Sequence, residues 1–221
     1  MTGGSTPTRA KVCGITAEAD RDAAVDAGAD ALGFVVDVPK DTPRELEPAR
    51  AAELIDGVPP FVTTVLVTMP DDADRAIELH EQAGADVVQL HNDLPPEAVE
   101  EVADATGARL LKAVSADADE ASRYAPVADA LLVDSRDATG AGGTGEAHDW
   151  AATRAIREAV EVPVVLAGGL TPDNVADAVR TVEPHAVDVS SGVERRPGRK
   201  DHDAVYAFVE AVAATRRAVS P

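Results

Sequence analysis

Short runs of β-branched and apolar residues alternate with longer stretches rich in Ala, Asp, Glu and Arg along nearly all of this 221-residue chain. The short runs are typical of buried strands, and the stretches between them are typical of helices. We predict eight strands, near residues 10–14, 31–36, 61–67, 86–91, 109–114, 130–134, 163–167 and 186–190. Eight such units in one small chain favour a single-domain α/β fold, the (β/α)8 TIM barrel, over an open doubly wound sheet.

No linker, low-complexity tract or change of composition divides the chain. We therefore predict one barrel over residues 10–221, preceded by a flexible N-terminus over residues 1–9. Two similar segments, Asp26–Asp30 and Gln82–Asp86, each carry a glycine where a helix is expected to end, as an internal β/α repeat would. The series Thr171, Pro172 and Asp173 predicts a helix start.

The charge of the chain restricts its partners and its surroundings. Twenty basic and 40 acidic residues give a net charge of −20, which disfavours nucleic acid as a partner. A single cysteine excludes an internal disulfide framework, and no apolar run approaches the roughly 20 residues of a membrane helix. We expect a soluble cytoplasmic protein without a membrane partner. Because molar salt shortens the Debye length to about 3 Å, the acidic surface also predicts adaptation to a salt-rich cytoplasm.

Three reactive side chains, those of Cys13, His91 and Asp134, stand at or near the carboxyl ends of predicted strands. In a TIM barrel these ends form the catalytic rim, so the three residues are candidates for a site. Strand alternation turns Lys11 and Asp188 inward on the first and last strands, which become neighbours when the barrel closes. A buried lysine requires a partner, so we expect these two residues to pair. Contact between Lys11 and a substrate remains the alternative.

Glycine-bearing segments follow the last three strands. Gly168-Gly169 and Ser191-Gly192 follow the seventh and eighth strands, where exposed amides in barrels often bind phosphate; simple tight turns are the alternative. The segment Gly140–Gly145 matches G-x-G-x-x-G, but it starts six residues beyond Asp134 and has no acid about 20 residues later. We interpret it as a lid over the site rather than a dinucleotide loop. The five histidines show no metal-binding spacing, so no metal is predicted.

Several motifs together resemble the phosphoribosylanthranilate isomerase family of tryptophan biosynthesis. The matching segments are Lys11–Thr16, Gly28–Phe34, Val88–His91, Leu132–Asp134, Gly142–Gly145, Asp149-Trp150, Gly168–Val175, Val187–Glu194 and Pro197–Asp201. They cover nearly the whole chain from about residue 10. The segment 37–46 departs from the family pattern, in which an aromatic or prolyl stretch precedes an arginine; Arg44 takes the place of that arginine.

The resemblance implies an aldose-ketose isomerase, an intramolecular oxidoreductase that needs no cofactor. Its reaction is the Amadori rearrangement of N-(5-phosphoribosyl)anthranilate to 1-(2-carboxyphenylamino)-1-deoxyribulose 5-phosphate. By similarity Asp134 is the general acid and Cys13 the general base. The other implied site residues are Arg44, His91, Gly143 and Gly145 for the substrate, and Gly168, Gly169, Ser191 and Gly192 for its phosphate. We expect a monomer or a homodimer.

The implied base must ionise near neutral pH, so we expect nearby cations to lower the pKa of Cys13. Two other functions compete with this one. The related histidine-pathway isomerase uses two aspartates, and Cys13 on the first strand disfavours it. A non-catalytic anion-binding barrel would bind phosphate esters without turnover, and the presence of both Cys13 and Asp134 argues against it.

Overall fold

The structure, a computed structural model, describes residues 7–134 and 150–217. Eight parallel strands close into a barrel in chain order, with each strand hydrogen-bonded to the next and β8 to β1. This confirms the predicted TIM barrel, and the strand bounds lie within two residues of those predicted. The strands are β1 (Arg9–Cys13), β2 (Ala31–Val35), β3 (Thr63–Thr68), β4 (Val87–Leu90), β5 (Arg109–Val114), β6 (Ala130–Asp134), β7 (Val164–Ala167) and β8 (Ala186–Val189).

Helices follow the strands and form the outer layer. They are α1 (Glu18–Asp26), α2 (Pro48–Asp56), α3 (Ala73–Ala83), α4 (Pro96–Thr106), α5 (Ala118–Tyr124), α6 (Trp150–Ala159), α7 (Val175–Val182) and α8 (His202–Arg217). After β8 the chain adds a 3-10 turn, Ser191–Val193, and an antiparallel hairpin of β9 (Glu194–Arg196) and β10 (Arg199–Lys200), which the sequence pattern did not predict. Within the described ranges, no helix is both long and apolar enough to cross a membrane.

The main core lies between the strands and the helices. Outward-facing residues such as Phe34, Leu66 and Leu131 are fully buried there. The inward-facing residues fill the barrel with smaller side chains, including Val65, Val67 and Leu132. Most residues on both faces of the strands are therefore apolar, as expected for parallel strands covered on both sides.

An aspartate clamp recurs at the amino ends of the strands. Asp30 accepts a hydrogen bond from the Ala10 amide (2.8 Å), and Asp86 accepts one from the Thr64 amide (2.8 Å). Asp129 repeats the contact with the Leu110 amide at 2.9 Å. In each case the aspartate before an even-numbered strand holds the preceding odd-numbered strand. The repeat predicted from Asp26–Asp30 and Gln82–Asp86 is thus a repeated structural contact.

Two local expectations need revision. The helix start predicted at Thr171 is wrong, because α7 begins at Val175 after a turn. Asn174 stabilises this turn, since its side-chain oxygen accepts from the Thr171 amide and its amide group donates to the Gly169 carbonyl. Within the segment expected to be flexible, residues 1–9, Arg9 belongs to β1 and the Thr8 hydroxyl donates to the buried Pro184 carbonyl.

Candidate active site

Cys13 is the last residue of β1 and is almost completely buried. It points into the barrel together with Lys11, two residues earlier. The Lys11 ammonium donates to the Asp188 carboxylate on β8 at 2.8 Å, and the two residues lie opposite each other in the strand register. This confirms the predicted pair and places a lysine and an aspartate directly below the thiol.

The surroundings of the thiol contain the expected cations, but the expected direction of its pKa is wrong. Burial raises the pKa of Cys13, and this effect exceeds the lowering by the positive charge of Lys11. Asp188 raises the pKa further, whereas Lys200 lowers it. Strand alternation places Lys11 and Asp188 near Cys13, but the position of Lys200 and the loss of hydration depend on the completed barrel.

A glycine on the neighbouring strand makes room for the thiol. Gly33 on β2 lies opposite Cys13 in the register. A Cβ atom at Gly33 would lie only 2.8 Å from the Cys13 sulfur and 3.1 Å from the Lys11 nitrogen. Any side chain at this position would therefore displace the sulfur from its place at the rim.

The second candidate catalytic residue, Asp134, ends β6 on the same rim. His91 follows β4, and its Nε2 atom lies 3.8 Å from the Asp134 carboxylate, which is too long for a hydrogen bond. Both side chains line an open pocket of about 360 Å³ that also includes Ser115 and Glu120. The structure therefore brings together two residues that are 43 positions apart in the sequence, 91 and 134.

Arg44, in the loop between β2 and α2, is bound by a carboxylate that the sequence analysis did not single out. Its Nε and Nη2 atoms donate to the two oxygens of Glu194 at 2.9 and 2.7 Å. These hydrogen bonds raise the pKa of Arg44, and the Cys13 thiol contributes to the same shift through its charge. Arg44 is thus near the candidate base, held by two of its three nitrogens.

The two candidate phosphate-binding segments pack against each other. Gly168 and Gly169 turn the chain immediately after β7, with φ values of 91° and 58° that favour glycine. Ser191 and Gly192 form the 3-10 turn after β8. A Cβ atom at Gly192 would lie 1.9 Å from the Leu170 carbonyl oxygen, so only glycine allows this contact between the two loops.

The analysis of single motifs missed the roles of Glu194 and Lys200, although both lie in segments that carry the family resemblance. Glu194 is 4% exposed at its side chain and Lys200 is fully buried. From the sequence alone, a glutamate and a lysine are expected to be solvated. The fold of the β9–β10 hairpin buries both side chains. Two other candidates, Gly143 and Gly145, belong to the segment 135–149 and lie outside the described residues.

Comparison with known proteins agrees with this geometry. Residues 10–211 match the sequence profile described as N-(5'phosphoribosyl)anthranilate (PRA) isomerase. The chain belongs to the phosphoribosylanthranilate isomerase family. The enzyme of that name from Halobacterium salinarum is 58% identical over 211 residues, which cover 94% of this chain and 97% of the relative. The Haloferax volcanii enzyme is 55% identical over 213 residues, with 96% of each chain covered.

Solved structures of the family have the same fold. Phosphoribosyl anthranilate isomerase from Thermotoga maritima has a TM-score of 0.83 and 34% identity, with 94% of this chain and 99% of that chain covered. A family structure in complex with reduced 1-(o-carboxyphenylamino)-1-deoxyribulose 5-phosphate has a TM-score of 0.79, 33% identity and the same coverage. The close relatives of this acidic chain come from halophiles, which agrees with the predicted adaptation to salt.

Proposed function

We propose that this chain converts N-(5-phosphoribosyl)anthranilate to 1-(2-carboxyphenylamino)-1-deoxyribulose 5-phosphate, with Cys13 as general base and Asp134 as general acid. One observation carries the assignment of roles. The thiol and the carboxyl group end β1 and β6, and the two strands between them, β7 and β8, are followed by the glycine-containing loops. A phosphate held by those loops would lie between the acid and the base. Family membership supports the reaction itself.

The chemistry requires one proton to be donated and one to be removed. Asp134 protonates the ring oxygen while the bond from that oxygen to C1 breaks, and the nitrogen lone pair forms an iminium ion. The Cys13 thiolate then takes the proton from C2, which gives an enolamine. Protonation of the enolamine at C1 and loss of the hydroxyl proton give the ketone, so the overall step is an isomerisation. Positioned groups of this kind typically each contribute about 10²–10⁴-fold.

The base must be a thiolate to act, and its surroundings determine when it becomes one. Burial raises the pKa of Cys13, while Lys11 and Lys200 oppose that effect. We expect kcat/KM to rise with pH through the ionisation of the thiol. The pH profile of kcat/KM reports this ionisation in the free enzyme.

The remaining candidates would hold the substrate. Glu194 accepts from the Nε and Nη2 atoms of Arg44, and no residue in 7–134 or 150–217 accepts from its Nη1 atom, which would bind the anthranilate carboxylate. His91, beside Asp134, would contact the reacting sugar. Gly143 and Gly145 would complete the substrate site. The phosphate would bind the amides of Gly168, Gly169, Ser191 and Gly192.

We further propose that the protein works in the cytoplasm as a monomer or homodimer, without a cofactor, nucleic acid or membrane partner. Its net charge of −20 opposes nucleic-acid binding. Light scattering in molar KCl measures the oligomeric state, and a larger assembly would contradict this part of the proposal.

Loss of substrate fluorescence with the purified protein in molar KCl tests the function directly. We expect Cys13→Ala and Asp134→Asn each to lower turnover at least about 10²-fold without unfolding the barrel. Asp177→Asn, which removes a solvent-exposed carboxylate on α7, serves as the matched control. Near-normal turnover in both rim variants would refute the assigned roles, and phosphate-ester binding without turnover in the wild type would favour the anion-binding barrel.

A further inference from the structure

A fully buried lysine contacts both the backbone of the candidate base and the turn after β8. The Lys200 ammonium, on β10, donates to the Cys13 carbonyl at 2.6 Å and to the Ser190 carbonyl at 3.1 Å. It also donates to the Glu194 carboxylate at 3.1 Å. A lysine ammonium has three donors, so these three acceptors use all of them.

The partners of Lys200 belong to separate parts of the candidate site. Cys13 carries the thiol, and Ser190 directly precedes the Ser191-Gly192 turn proposed to bind phosphate. Glu194 extends the connection, because its carboxylate also accepts both hydrogen bonds from Arg44. One ammonium group therefore contacts the base and the phosphate loop directly. Through Glu194 it is also connected to Arg44, the residue proposed to bind the anthranilate carboxylate.

The location of this cation is energetically demanding. Removing an ammonium group from water is unfavourable, and a single carboxylate offsets that cost only when the geometry is good. Burial accordingly lowers the pKa of Lys200, while Glu194 and then Cys13 raise it and Arg44 lowers it. A neutral residue could fill the same space without this cost. The position of this charge, against the backbone of the candidate base, points to a task in the reaction as well as in packing.

We propose that Lys200 is a positioning residue for the isomerase reaction: it fixes the Cys13 and Ser190 carbonyls relative to each other and supplies positive charge that favours the thiolate. This inference rests on the proposed role of Cys13. The other charged groups that act on the thiol are Lys11 on its own strand, Asp188 on β8 and Arg44 in the loop after β2. Lys11 lowers the pKa of the thiol more than Lys200 does, but only Lys200 also holds the backbone carbonyl of Cys13, together with that of Ser190.

Lys200→Met tests the proposal, because methionine has a similar length but neither charge nor donors. The chain has one cysteine, so the pH dependence of alkylation by iodoacetamide reports on Cys13 alone. We expect the alkylation profile to move to higher pH, KM to rise and kcat to fall about 10²-fold. Lys112→Met is the matched control. It also removes a buried lysine, but this one lies on β5, away from β1, so the alkylation profile should stay unchanged.

A second variant retains the lysine and keeps the proposal falsifiable if Lys200→Met does not fold. When Lys200 loses its proton at alkaline pH, the thiolate loses that positive charge, so we expect kcat/KM to decline again after the rise caused by thiol ionisation. Glu194→Gln removes the carboxylate that helps keep Lys200 protonated, so this decline should start at lower pH. Unchanged alkylation and kcat in folded Lys200→Met would overturn the inference, and so would an unchanged alkaline limb in Glu194→Gln. If Cys13→Ala itself retains turnover, the proposed role of Cys13 as the base fails instead, which separates the two outcomes.

Discussion

The two sides of the catalytic rim are organised differently. On the side that carries the base, each of the two buried lysines is paired with a carboxylate. The Lys11 ammonium lies 2.8 Å from the Asp188 carboxylate, and the Lys200 ammonium lies 3.1 Å from the Glu194 carboxylate. Glu194 also binds Arg44. This side is an enclosed ionic network, whose arrangement is established before a substrate arrives.

The side that carries the acid, formed by β4, β5 and β6, is more open. His91 and Asp134 lie 3.8 Å apart at the edge of a pocket. Behind them, the buried Lys112 ammonium donates to the Ala113 carbonyl and lies 4.4 Å from the centre of the Tyr124 ring. Among the residues described, no carboxylate lies within ion-pair distance of Lys112. The comparison suggests that the base is preorganised by charge, while the acid side leaves space for the sugar.

Breaking the network on the base side should have the largest effect on stability. Lys11→Met leaves Asp188 buried without its partner, which typically costs about 3–5 kcal/mol. The double variant Lys11→Met/Asp188→Leu should recover most of that loss, because both charges are gone. Urea unfolding of the single and double variants measures the difference. A loss below about 1 kcal/mol in Lys11→Met would show that water reaches the pair.

A lysine-to-methionine substitution on the acid side, Lys112→Met, should raise the free energy of unfolding instead of lowering it. Burial lowers the pKa of Lys112 to about 8 from the ordinary lysine value of 10.5, and the charges of Glu120 and Asp93 only partly oppose this. At pH 7 the folded chain must keep a charge that the fold disfavours. Lys112→Met removes this charge and should stabilise the protein by up to about 3 kcal/mol at pH 7.

The pH dependence provides the control for Lys112→Met. Between pH 8 and 10.5 the unfolded chain binds more protons at Lys112 than the folded chain does, so the contribution of Lys112 to wild-type stability should rise with pH in this window. Lys112→Met lacks this contribution, so its stability advantage over the wild type should shrink across the window and disappear near pH 10.5. Equal pH slopes in both proteins would contradict the shifted ionisation.

A neutral hydrogen bond on the acid side should matter less than either charge. The Tyr124 hydroxyl donates to the buried Leu94 carbonyl at 2.8 Å. Tyr124→Phe leaves that carbonyl without its donor and should cost about 1–2 kcal/mol in the free energy of unfolding. Tyr206→Phe, at a tyrosine that is 44% exposed on α8, should change stability by less than about 0.5 kcal/mol. Equal losses in both variants would argue against a specific role for the buried bond.

The sequence pattern was sufficient to predict the barrel and the contact between Lys11 and Asp188. Strand alternation indicated which side chains point inward, and closure of eight parallel strands makes β1 and β8 neighbours. The clamp residue Asp30 also belonged to a recognisable repeat. These features depend on local periodicity and on topology, both of which can be inferred from the order of residues.

The ionic surroundings of the base could not be predicted in the same way. Lys200 and Glu194 lie in a short hairpin whose strands of two and three residues carry almost no periodic signal. The raised pKa of Cys13 depends on how completely the finished barrel excludes water. The start of α7 was placed too early because Asn174 forms a turn that competes with the proline signal at Pro172.

Salt should weaken the ion pairs on the surface but not those of the enclosed network. The expected changes in coupling energy are smaller than the stability changes predicted for Lys11→Met, Lys112→Met and Tyr124→Phe. The pair Arg154–Glu158 on α6 is solvent-exposed at 3.0 Å, so its coupling energy should fall from about 0.3–0.5 kcal/mol in dilute buffer toward zero in molar KCl. The coupling between Lys11 and Asp188 should change little, because buried pairs are screened much less.

The net charge of −20 makes this comparison more informative. The melting temperature of the whole protein should rise with KCl as repulsion among the acids is screened, while the buried coupling stays nearly constant. Double-mutant cycles at low and molar KCl measure both pairs under identical conditions. If the Lys11–Asp188 coupling fell in parallel with that of Arg154–Glu158, solvent ions would have access to the base side. The contrast between an enclosed base and an open acid side would then be lost.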